Sequence, residues 1–213
     1  MLLLLSQLLS CAWFQPEEEK SARELAEEGA EAFKDKDYSK AIESFEKLKE
    51  WYPFSQYAVL AELKLGDAHY HKKEYEEAIF AYKEFENLHP KNEAVPYVVY
   101  QTGLCYFDRL QTIDRDQTMV REALLTFERL IRTYPASPYA KKAEEHIKVC
   151  YKNLAEHEFY VGRFYYKTKH YKAALERFKA VLTSYPDMGI HRKAIEYIRL
   201  CQAKLDDAIL DTD

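Results

Sequence analysis

Chain-breaking residues are scarce: five glycines and seven prolines in 213 residues. A β-sandwich or barrel needs turn clusters roughly every ten residues, so this scarcity argues for helix. The apolar N-terminal run, MLLLLSQLLS, is about half the length a bilayer-spanning helix requires. None of G-x-x-x-x-G-K-[ST], G-x-S-x-G, H-E-x-x-H or C-x-x-C occurs. The phosphate cradle, nucleophile elbow, zinc-protease helix and redox pair those patterns build are therefore not expected, and the composition points away from an enzyme. No basic excess exists either, since 31 Lys and Arg stand against 36 Asp and Glu. That balance argues against a binder that tracks nucleic-acid phosphates.

Ligand clusters are also missing. Cys105, Cys150 and Cys201 lie 45 and 51 residues apart in apolar, helical surroundings and read as buried, reduced packing residues. His69 and His71 at i and i+2 on a helix diverge and do not chelate together, and Glu145-His146 is one adjacent pair. Asp108, Asp114 and Asp116 lack the glycine and terminal glutamate of a calcium loop. No metal or cofactor is expected.

What is present is a repeat. Residues 38–53, 75–90, 120–135 and 171–186 superpose on one another. Alanine recurs (Ala41, Ala78, Ala123, Ala174), followed by Ile or Leu, then by an aromatic (Phe45, Tyr82, Phe127, Phe178), then by Leu48, Phe85, Leu130 and Val181. These spacings place the apolar positions on one helical face. Pro53, Pro90, Pro135 and Pro186 end each copy, because proline lacks an N–H and restricts the residue before it. Gly29, Gly66, Gly103 and Gly162 mark a preceding helix in each copy. Glycine costs about 1 kcal/mol there relative to alanine, so close helix approach is expected. Together these are the tetratricopeptide signature, and the expected fold is all-α: a superhelix of antiparallel helix pairs, with four clear repeats plus a terminal helix or degenerate fifth repeat.

The repeat breaks in two places. Gly103 to Ala123 spans 20 residues where the other copies span 12, which predicts a polar surface insertion within residues 108–118. Pro135 to Gly162 is 14 residues longer than its counterparts. About four extra helical turns keep the same face in register, so residues 138 to about 169 are expected to form one long helix. Residues 189 to about 210 then read as a terminal capping helix.

Cys11 follows Leu8-Leu9-Ser10, which resembles the lipobox of bacterial lipoproteins. Residues 1–10 then read as a signal-like segment, though one without Lys or Arg, and 11–20 as the lipidated cysteine and its tether. Residues 21–210 form a single repeat domain. The alternative is a plain apolar tail.

Three stretches carry a more specific resemblance: WYPFSQY at 51–57, KLGDAHY at 64–70, and DRDQT at 114–118 running into EALLTFERLIRTYP at 122–135. With the insertion and the long helix, they resemble the BamD (YfiO, ComL) family of outer-membrane assembly lipoproteins. The resemblance implies a non-catalytic scaffold anchored by lipid on Cys11 at the periplasmic face of the bacterial outer membrane. It also implies docking to the periplasmic domain of BamA and contact with other Bam subunits. Repeats within about 21–135 would receive C-terminal segments of unfolded outer-membrane proteins, and those within about 136–210 would dock BamA, with Arg177 at the position the family associates with that interface.

Repeat register places Phe33, Leu63, Asp67, Tyr70, Tyr97, Tyr100, Leu104 and Phe107 on the groove side of the first helices. These residues either line a peptide groove or fill the inter-repeat core. A pilotin-like lipoprotein serving a secretin or pilus subunit, and a general tetratricopeptide adaptor, are the alternative functions.

Overall fold

A computed structural model describes residues 20–210, with side chains as far as residue 207. Cys11 and the segments 1–10 and 11–19 lie outside the described residues. Among the described residues there are nine helices and no strand: α1 (Ala22–Lys34), α2 (Tyr38–Trp51), α3 (Ala58–His71), α4 (Tyr75–Leu88), α5 (Val95–Phe107), α6 (Thr118–Thr133), α7 (Pro138–Lys167), α8 (Tyr171–Ser184) and α9 (His191–Leu210). They form consecutive helix–turn–helix pairs, the tetratricopeptide arrangement. None of these helices is long and apolar enough to cross a membrane.

Local chemistry sets the boundaries. Ser21 caps α1 in a capping box with Glu24, and Ser137 caps α7 ahead of Pro138. The four repeated helices α2, α4, α6 and α8 each stop two residues before their proline. In the three short intra-repeat turns a lysine takes the left-handed conformation, at Lys36, Lys73 and Lys169 with φ of 62–64°. The residue after each lysine donates back five positions, Asp37 to Ala32, Glu74 to His69 and His170 to Tyr165, closing a Schellman-type end. A turn this short folds the second helix back antiparallel to the first. The third repeat has no such turn. Residues 108–117 form the inserted loop there, and α7 runs 30 residues as one helix.

The helices gather into two compact units, residues 1–68 and 69–213. In the first, α1 packs on α2. In the second, α4 to α9 pack in sequential pairs, and α5 also touches α7. The expected glycine role is visible in both. A Cβ on Gly29 would lie 2.5 Å from the Phe45 ring, one on Gly103 2.4 Å from Phe127, and one on Gly162 2.7 Å from Phe178. Phe127 and Phe178 are fully buried and Phe45 nearly so. Each glycine lets the aromatic of the next helix seat directly on its backbone. The last repeat closes on α9 through Phe159, Phe178, Val181, Ala194 and Cys201, with Tyr166 and Tyr197 packed against them.

Candidate functional site

Alignment on the repeat glycines explains where the chain leaves space. Three residues before, one after and four after the glycine lie Ala26, Ala30 and Phe33 in the first repeat, and Tyr100, Leu104 and Phe107 in the third. Two alanines where the third repeat has tyrosine and leucine leave the first unit unfilled. A cavity of about 110 Å³ opens there. Ala26, Ala30 and Phe33 of α1, Phe45 of α2, Tyr57, and Leu60, Ala61 and Lys64 of α3 line it. The lining is apolar except for the tyrosine hydroxyl and the Lys64 ammonium, and the volume suits one apolar side chain.

Lys64 is the polar rim. Its Nζ donates to Asp67 Oδ2 at 2.8 Å and lies 5.0 Å from the centre of the Phe33 ring. The ammonium carries three N–H donors, one of which goes to Asp67. Asp67 departs from the expectation of a groove-facing carboxylate: it is 3% exposed and accepts from Lys64. Burial of an ionised carboxylate requires such a partner. Leu63 beside it is half-buried.

The corresponding face of the second unit is filled. Tyr97 stacks edge-on against Tyr139 and accepts from Gln101. The Tyr100 hydroxyl lies 3.0 Å from His146 Nε2, with its ring against Tyr139 and Phe127. Phe107 meets His146 edge-on at 4.5 Å, and His146 stacks on Phe127 at 5.1 Å. Burial holds the His146 imidazole below its ordinary pKa, against smaller opposite pulls from Asp108 and Glu145. The neutral ring then accepts from Tyr100. Tyr70 donates to Asp108 at 2.6 Å, and burial with that bond raises its pKa. Leu104 is half-buried on the same helix. Tyr97, Tyr100 and Phe107 thus join an aromatic cluster completed by Tyr139 and His146 of α7.

Comparison with known proteins gives the family. A family model described as YfiO, outer membrane lipoprotein, matches residues 18–207. The chain belongs to this family. An outer membrane protein assembly factor BamD from Caulobacter vibrioides is 30% identical over 201 residues, covering 91% of this chain and 66% of that protein. The protein of the same description from Neisseria gonorrhoeae is 29% identical over 203 residues, 91% of this chain and 76% of that one. That from Rickettsia prowazekii is 32% identical over 161 residues, 76% of this chain and 64% of that one. The chain therefore spans about two thirds to three quarters of the length of these relatives.

Two further features of this YfiO-family chain are the surroundings of Arg177 and the root of the inserted loop. Arg177 of α8 donates to Glu158 of α7 at 2.9 Å; the Glu158 side chain is 9% exposed and that of Arg177 45%. The hydrogen bond to Glu158 raises the guanidinium pKa further. Arg177 therefore neutralises a buried carboxylate while keeping part of its fork at the surface. The inserted loop is held at its root, where His157 Nδ1 lies 2.6 Å from the Ile113 carbonyl and Gln117, buried, donates to the carbonyls of Thr112 and Arg115. Cys105, Cys150 and Cys201 are buried, and burial pushes the first two thiols up to about 12.

Sequence reasoning reached Phe33 but missed Ala26, Ala30 and Lys64. The signal was present in the glycine-aligned columns, where only the first repeat carries two alanines.

Proposed function

We propose that this chain is a non-catalytic, lipid-anchored scaffold of outer-membrane β-barrel assembly, held through Cys11 at the periplasmic face of the outer membrane. In this reading its first unit receives the C-terminal residue of an unfolded outer-membrane protein. Membership of the YfiO family supports the setting, and the relatives named as outer membrane protein assembly factors support the pathway. The observation that carries the binding step is the cavity beside Lys64. An aromatic terminal side chain enters between Ala26, Ala30 and Phe33, and the terminal carboxylate meets the Lys64 ammonium. Apolar burial supplies affinity, while the charge selects a chain end over an internal residue.

The second unit docks BamA around Arg177, whose exposed edge is free to take a partner carboxylate while Glu158 holds the other edge. Removing Arg177 alone would strand Glu158, so the test variant is Glu158→Gln with Arg177→Gln. Affinity isolation of the exported protein from detergent-solubilised envelopes is expected to recover BamA with wild type. The double variant should lose BamA with helicity unchanged. Recovery of a secretin or pilus protein in place of BamA would contradict the reading and favour a pilotin-like role.

A further inference from the structure

The repeats serve as controls for one another at the turn that follows each second helix. The last helical residue and the residue after proline are Trp51 and Phe54 in the first repeat, Leu88 and Lys91 in the second, Thr133 and Ala136 in the third, and Ser184 and Asp187 in the fourth. Only the first presents two aromatics. Phe54 is 101% exposed and Trp51 46%, an arrangement that wastes apolar surface in water. From Trp51 to Ala61 no residue is charged, in a protein that is 31% charged overall.

The same turn holds the place where the N-terminal segment enters the fold. The Tyr52 hydroxyl donates to the Lys20 carbonyl at 3.0 Å. Lys20 Nζ pairs with Glu28 at 2.7 Å, and Ser21 begins the capping box immediately after. Nine Cα steps separate Lys20 from Cys11, a reach of at most about 30 Å in an extended chain. A lipid on Cys11 therefore keeps the Trp51–Phe54 turn within a few nanometres of the bilayer at all times.

We propose that the Trp51–Phe54 turn is a membrane-contact site that seats in the phospholipid interface. This rests on the anchored reading above. Trp and Phe favour the headgroup boundary, where an indole keeps its N–H hydrated, and an uncharged turn enters without desolvating an ion. The anchor supplies the high effective concentration that lets so small a site engage, and the contact in turn fixes which face of the first unit points at the membrane.

Trp13 and Trp51 are the two tryptophans of the chain, so Trp13→Phe leaves Trp51 as sole reporter. This full-length variant is coupled through Cys11 to a maleimide phospholipid in phosphatidylethanolamine–phosphatidylglycerol vesicles, the other three thiols being buried. Chemical coupling makes the measurement independent of whether cells lipidate Cys11. Flotation of the cell-exported protein, lost on Cys11→Ser, tests that separately. The expected result is a blue shift of Trp51 emission and its quenching by acyl-brominated lipid, both reduced by Phe54→Ser. Emission that ignores brominated lipid in the coupled protein overturns the proposal. So does emission that shifts only when a peptide with a C-terminal aromatic is added, since the turn would then belong to the client site.

Discussion

The first and third repeats carry the same glycine-marked helix face, yet one is open and the other closed. In the first, Ala26 and Ala30 flank Gly29 and leave a cavity under Phe33. In the third, Tyr100 and Leu104 flank Gly103, and Tyr139 and His146 of the long helix complete the cluster over Phe107 and Phe127. An aromatic on a groove-facing position is thus not a binding residue by type. It lines a site where its neighbours are small, and becomes core where a longer following helix brings rings to meet it.

The largest expected contrast comes from truncating one aromatic on each side. Phe127→Ala removes a fully buried ring from the closed cluster and should cost about 3–5 kcal/mol. Phe33→Ala removes a half-buried ring beside an existing space and should cost about 1 kcal/mol or less. Urea denaturation of both variants checks this, and equal costs would erase the distinction. Next in size, Gly103→Ala drives a methyl into the Phe127 ring and should cost about 2 kcal/mol. Pairing it with Phe127→Leu should recover part of that loss, as expected for two groups competing for one space.

Much of this architecture was legible beforehand because its signals are periodic. Ala41, Ala78, Ala123 and Ala174 with their following aromatics gave the repeated helices, and four prolines gave their ends. The insertion and the 30-residue α7 followed from residue spacing alone. Sorting pocket from core was not legible, because it depends on residues distant in sequence. Nothing in the run from Tyr97 to Phe107 announces that Tyr139 and His146 will cover it. Asp67 shows the same dependence on distant context. Its register is that of the groove, but its carboxylate is turned to Lys64 and buried. The left-handed lysines at 36, 73 and 169 carry no compositional mark, since glycine is the usual occupant there.

Acid should act on the closed cluster through His146. Burial depresses the folded pKa of His146, so the unfolded chain takes up this proton first as pH falls. The stabilisation is fully present above the unfolded value near 6.5 and is lost as pH drops through it toward the folded value. Protonation also converts Nε2 from acceptor to donor and removes the acceptance from Tyr100. Denaturation midpoints at pH 7.5 and 5.5 should therefore differ more for wild type than for His146→Gln. A difference unchanged by that substitution would place the pH sensitivity elsewhere. The smallest effect is expected at the turns: Lys36→Gly relieves a left-handed φ of 64° and should stabilise by about 0.5–1 kcal/mol, net of the glycine entropy cost. Thermal melts resolve a shift of that size.

The open site itself is tested most directly by titrating the full-length protein with a decapeptide ending in phenylalanine, followed by calorimetry. The free-acid peptide should bind wild type, bind more weakly after Lys64→Gln with Asp67→Asn, which removes the ammonium without stranding the buried carboxylate, and fail to bind Ala26→Leu, in which the added side chain fills the cavity while the fold persists. The C-terminal amide of the same peptide should behave toward wild type as the free acid does toward that double variant. Undiminished binding of the free acid to Ala26→Leu would contradict the assignment of the first-repeat cavity as the client site.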